Sequence, residues 1–204
     1  MQLSTTSLII LLTGASCVLQ ATCSICPYNT TLCRCHHDFI SCTGLQSMPR
    51  LYTGPEVMNV TVIDIQTGNI TSIPNGSLPP GLEALAISRN PVTEIADDVF
   101  INSATTLTEL DLSGLKLRQL PYALLRLTNL SALDIENTPI GILQEDVLQN
   151  ITMTLTYLRL ENVSLLAWPR AISYLRFLTG LNLNGNSLKI FHRTLSFRLI
   201  HYET

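Results

Sequence analysis

Apolar residues recur along this chain in two superimposed rhythms. Within short stretches they alternate at strand spacing, and the stretches return roughly every two dozen residues, the mark of a stacked repeat. The clearest are Leu107, Leu110 and Leu112; Leu130, Leu133 and Ile135; and Leu178, Leu181 and Leu183. The anchoring first residues are Val60, Leu82, Leu107, Leu130, Leu155 and Leu178, at steps of 22, 25, 23, 25 and 23 residues. Positions four and six of each unit share one face of a strand, and further apolar residues follow at positions eleven and fourteen, such as Ile70 and Ile73 or Leu117 and Leu120. A unit this short cannot bury its apolar face alone. Stacked units bury a continuous core, so the pattern predicts a solenoid.

The spacing and the leucine positions fit the leucine-rich repeat template. The expected fold class is therefore an α/β solenoid. Each repeat gives one short parallel strand to a concave sheet and a loop or short helix to the convex side. Two short units carry a proline after position fourteen, Pro121 and Pro169. The longer units instead carry acidic pairs, Asp97-Asp98 and Glu145-Asp146, where a short helix would begin. Position nine of the template is usually Asn, whose amide bonds backbone groups that strands leave unpaired. Only Asn90 and Asn186 keep it; Gly68, Leu115, Thr138 and Val163 replace it elsewhere, which predicts an incomplete ladder.

Composition narrows the class. Charged residues make up 13% and hydrophobic ones 46%, as in a folded chain. A formal net charge of −3 gives no basic face for nucleic acid. Residues Leu8 to Leu12 open an interrupted apolar stretch to Leu19, too short to span a membrane and suited to a secretory signal. Small residues allow cleavage after Cys17, Ala21 or Cys23, and no second apolar stretch of membrane length follows.

All six cysteines lie at or before position 42. In an exported chain the cluster reads as disulfides. Zinc is the alternative, because His36 and His37 follow Cys33 and Cys35 directly. The run Cys26-Pro27, Cys33-x-Cys35, Cys42 and Leu45-Gln-Ser-Met-Pro49 resembles the N-terminal cysteine cap of extracellular leucine-rich repeat proteins. That family includes Toll-like receptors, variable lymphocyte receptors, Slit-like proteins and matrix proteoglycans. The resemblance implies the pairs Cys26 with Cys35 and Cys33 with Cys42. Cys23 is then left over unless cleavage removes it. The expected organisation is a signal peptide at 1–23, a disulfide cap at 24–50, repeats at 51–191 and an irregular end or truncated cap at 192–204. In that last part Arg198 and His201 stand where apolar residues belong.

Seven Asn-x-Ser/Thr sequons occur, at Asn29, Asn59, Asn69, Asn75, Asn129, Asn150 and Asn162, and mark a glycoprotein if the chain is exported. The family's concave sheet exposes positions three, five, seven and eight. Here these give the candidate ligand-binding residues Arg89, Glu109, Asp111, Asp134, Glu136, Tyr157 and Arg159. Strands lie about 4.8 Å apart, so Asp111 and Asp134 are expected side by side in an acidic patch with Arg89 and Arg159 at its margins. The patch would suit a basic extracellular protein or glycan ligand, with glycans at Asn69 and Asn162 framing it. The leading reading is a secreted recognition protein, or a cell-surface ectodomain if the native product is longer. A structural matrix component is the second. A hydrolase using Asp111 and Asp134 is remote on an open sheet without a cleft. The sequence contains no familiar catalytic, phosphate-binding or dinucleotide fingerprint, so no enzyme and no cofactor or metal is expected.

Overall fold

The computed structural model describes residues 25–189. The N-terminal apolar stretch read as an export signal, with Cys17, Cys23, Phe191, His192, Arg198 and His201, lies outside the described residues.

One path repeats once per coil: strand, turn, convex return. Strands β1 (Cys33–His36) and β2 (Phe39–Thr43) form an antiparallel hairpin in the cap. Then come β3 (Val62–Gln66), β4 (Ser72–Ile73), β5 (Ala84–Ser88), β6 (Glu94–Ile95), β7 (Glu109–Asp111), β8 (Ala132–Glu136), β9 (Tyr157–Glu161) and β10 (Gly180–Asn182). Eight of these form one sheet in the order β1-β2-β3-β5-β7-β8-β9-β10, parallel from β2 onward. The cap thus supplies the first strand of the solenoid sheet. Strands β4 and β6 pair separately.

The apolar rhythm sets the core. Positions four and six are buried from Ile63 and Ile65 to Leu158 and Leu160, each at 2% exposure or less. Positions eleven and fourteen are buried from Ile70 and Ile73 to Ile140 and Leu143, and Leu165 closes the run. In the sixth coil Leu178, Leu183 and Leu188 are only partly buried. The core is one continuous cluster along the array, as expected when each coil seals the one before it.

Polar groups lock neighbouring coils together. At position two, Thr108, Ser131, Thr156 and Thr179 each donate their hydroxyl, at 3.0 Å, to the carbonyl of Glu83, Thr108, Ser131 and Thr156 in the coil before. At position eight the chain turns out of the strand with left-handed backbone: Gly114, Asn137, Asn162 and Gly185 have φ of 67°, 51°, 52° and 68°. Thr67 and Arg89 adopt the same region at 44° and 53°, where L-residues are disfavoured by about 1–2 kcal/mol.

The position-nine ladder is fuller than the sequence suggests. Asn90 accepts the Ile70 N–H and donates to the Ser88 carbonyl. Asn186 accepts the N–H groups of Val163 and Leu165. Thr138 does the same with a hydroxyl. It accepts the Leu115 N–H at 3.0 Å and shares its proton between the carbonyls of Leu112 and Glu136. Polar side chains in coils two, four and six therefore serve the turns of coils one, three and five, where position nine is Gly68, Leu115 and Val163. Gly68 is required sterically: a Cβ there would lie 2.5 Å from the Leu45 carbonyl oxygen and 2.7 Å from Asn90 Oδ1.

The convex side alternates, and one expectation about it is corrected. Short coils carry 3₁₀ helices Tyr122–Arg126 and Arg170–Tyr174 directly after Pro121 and Pro169. Long coils carry 3₁₀ turns Ile101–Ser103 and Gln149–Ile151, whose first turns hold no acidic residue. The acidic pairs fall one turn earlier. Burying Val99 with Phe100, and Val147 with Leu148, uses an extra turn before each helix begins. Asp98 instead pairs with Arg126 of the next coil at 2.7 Å.

In the cap, Cys26 is bonded to Cys35 and Cys33 to Cys42, the latter linking opposite residues of the hairpin. The four sulfurs are therefore not available as zinc thiolates, and His36 and His37 sit at the hairpin turn. Buried Tyr28 ties cap to array by donating its hydroxyl to the Ser77 carbonyl at 2.7 Å. Burial raises its pKa above the usual tyrosine value.

Candidate functional site

Alternation along each strand puts odd positions on the open face of the sheet. Parallel pairing aligns them into rows. The position-three row reads Val62, Ala84, Glu109, Ala132, Tyr157 and Gly180. The position-five row reads Asp64, Ala86, Asp111, Asp134, Arg159 and Asn182. Glu136 and Glu161 are neighbours in the next row. Asp111 stands beside Asp134, so the sheet does bring these carboxylates together.

Arg159 is not at the margin of an acidic patch; it is the centre of an ionic cluster. Its guanidinium lies 2.7 Å from Glu161, 3.2 Å from Glu136 and 3.6 Å from Asp134. Asn182 donates to the same Glu161 carboxylate at 3.0 Å. The reason is lateral: Arg159 sits one strand past Asp134 in the same row and two residues from Glu161 on the same face, so its long side chain reaches both. The hydrogen bond from Arg159 pulls the Glu161 pKa down, and the same bond raises that of Arg159. Asp134 goes the other way. Burial raises its pKa, and Asp111 beside it adds to the shift, against a smaller opposing pull from Arg159.

With Arg159 engaged, the unneutralised acids are on the N-terminal side. Glu109 and Asp111 have no ion pair among the described residues; Asp111 accepts only the Ser113 N–H, at 2.9 Å. Asp64 belongs with them and was absent from the expected set, although its place at position five of the first coil was legible once Val60 was taken as the anchor. Arg89 stands at the turn out of β5, in no ion pair among the described residues. A shallow depression of about 400 Å³ opens on this face between Val62 and Tyr157, floored by Ala84, Ala86 and Ala132.

Residues 80–140 match the family model described as leucine-rich repeat. The chain has a leucine-rich repeat fold. Its fold is similar to that of human 5T4 (Wnt-activated inhibitory factor 1, trophoblast glycoprotein) at a TM-score of 0.60. The two are 23% identical over 85% of this chain and 76% of the other. No curated protein matches the chain by sequence.

The seven sequon asparagines are all exposed on this leucine-rich repeat fold, and none lies on the position-three, -five or -seven rows. Asn162 donates its amide to Asn137 at 2.6 Å, and Asn69 to Gln46 at 2.9 Å. Asn75 accepts the Asp98 N–H. In four sequons the hydroxyl residue is already engaged within the fold: Ser77 donates to the Pro74 carbonyl and Thr152 to that of Gln149. The other two are Ser131, which belongs to the position-two ladder, and Thr61, which donates to Asp38. Among the described residues no helix is long and apolar enough to cross a membrane.

Proposed function

We propose that this protein is an extracellular recognition module that binds a protein ligand with the concave face of its sheet. The carrying observation is the open face of β5, β7 and β8, where Glu109 and Asp111 project without ion-pair partners among the described residues. Exposed carboxylates steer and orient a basic partner, because charge of complementary sign speeds encounter and fixes register. Export rests on the apolar stretch at the N-terminus, and the two disulfides agree with an oxidising compartment. The sequons bordering the sheet, including Asn69 and Asn162, would place glycans around the face and leave it clear. Human 5T4, which shares the fold, is named a glycoprotein.

The test is a binding screen of the secreted, glycosylated protein against extracellular proteins, followed by charge reversal. Glu109→Lys with Asp111→Lys is the informative pair, since Asp134→Lys would also disturb Arg159. The reading expects a loss of at least about tenfold in affinity, chiefly in the association rate, that shrinks in high salt. A ligand whose binding survives the double reversal would refute it.

A further inference from the structure

The depression on the concave face has a shape as well as a charge. Along the position-three row, Glu109, Ala132 and Tyr157 stand on three successive strands. Strand spacing separates Glu109 from Tyr157 by about 10 Å, and Ala132 between them fills that gap with a single methyl. Tyr157 does not lean over the gap. Its ring rests on the far side, against Gly180: a Cβ at Gly180 would lie 2.6 Å from Tyr157 Cδ2. The glycine of the sixth coil thereby accommodates the ring and leaves a slot open over Ala132. One wall is the half-exposed Tyr157 ring, and the other carries the carboxylates of Glu109 and Asp111. Asp134 lies at the base, and no cationic side chain lines the depression among the described residues.

We propose that this slot receives an arginine side chain projecting from a loop of the partner protein. The proposal rests on the reading of the concave face as a docking surface and specifies what enters it. Charge complementarity selects a cation. The planar, five-donor guanidinium suits the geometry better than an ammonium, because it stacks on an aromatic wall while its edge bonds two carboxylates. Arg159 shows the same preference within the chain, serving Asp134, Glu136 and Glu161 one strand away. The aliphatic stem of the incoming arginine would cover the Ala132 methyl.

The experiment uses the intact chain with ¹³C-labelled alanine methyl groups, titrated with the capped peptide Gly-Ser-Arg-Ser-Gly and its citrulline counterpart. Saturable movement of the Ala132 methyl signal by the arginine peptide is expected, with about tenfold weaker binding of citrulline, equivalent to about 1.4 kcal/mol. Ala132→Leu fills the slot from the solvent side without changing charge, and Gly180→Ala pushes Tyr157 back over it. Each should abolish the response, read at the Ala84 methyl and the Asp111 amide. No Ala132 response to arginine, an equal response to citrulline, or a response that survives both variants overturns the slot. A protein ligand that is lost on reversal of Glu109 and Asp111 but binds both slot-filling variants normally would leave the docking face standing and sink the arginine proposal alone.

Discussion

Replacing Thr138 tests how the coils are held in register. Its side chain is fully buried, and its hydroxyl accepts the Leu115 N–H while donating toward Leu112 and Glu136. Thr138→Val keeps the shape and removes that oxygen. The Leu115 N–H then has no partner in a dry interior, and a carbonyl on the other side loses its donor. A buried polar group left unpaired costs about 1–3 kcal/mol; the Leu115 N–H loses its only partner, whereas the Glu136 carbonyl keeps the Gly114 N–H, so the carbonyl side adds only about 1 kcal/mol and the total is about 2–4 kcal/mol. The added methyl recovers somewhat less than 1 kcal/mol. The net expectation is about 1–3 kcal/mol, or a fall in Tm of roughly 2–12 °C for a domain of this size. Thr138→Ser is the control. It keeps the hydroxyl and loses one methyl, at a cost near 1 kcal/mol. Packing alone would rank Ser as the worse substitution, whereas the hydrogen bond ranks Val as the worse. Urea and thermal unfolding of the three proteins decide the order. A valine variant as stable as the serine variant would refute the idea that position nine joins alternate coils.

Two further expectations follow from the same geometry. Gly68→Ala drives a methyl into the Leu45 carbonyl and the Asn90 amide, and should cost about 1–3 kcal/mol, seen as earlier urea unfolding and faster proteolysis at the junction of cap and first coil. Carboxyl ¹³C titration should find Asp134 above the ordinary aspartate range and Glu161 below the ordinary glutamate range. Because Asp134 binds its proton more readily folded than unfolded, its contribution falls as pH rises through the window from its unfolded to its folded pKa; that of Glu161 is present above its unfolded pKa and is lost as pH falls through its folded one. Asp134 titrating below Glu161 would contradict the assigned environments.

What could be read from the sequence was whatever the repeat imposes on every coil. Leucines at positions one, four and six must be buried for any coil to stack, so their spacing reveals strand, core and register together. Pro121 and Pro169 likewise fix where the short coils turn into 3₁₀ helix. Contacts made across coils were harder to see. Thr138 replaces Asn because a hydroxyl reaches the same N–H from the neighbouring coil, a substitution that position alone does not reveal. The serine and threonine residues at position two were visible as a column, and their role follows only once strands are stacked. Arg159 was placed on the correct face, but spacing along one strand does not say which way a long side chain leans. The slot over Ala132 depends on Gly180, two strands away in the sheet and 48 residues on in the chain.

Carboxyl footprinting of the protein with a bound ligand probes the concave face most directly. Modification with a carbodiimide and mass spectrometry compares acids on both sides of the solenoid in one sample. The account predicts that Glu109 and Asp111 are protected in the complex while Asp97, Glu145 and Asp146 on the convex side react as in the free protein. Protection of the convex acids with Glu109 and Asp111 unchanged would contradict it.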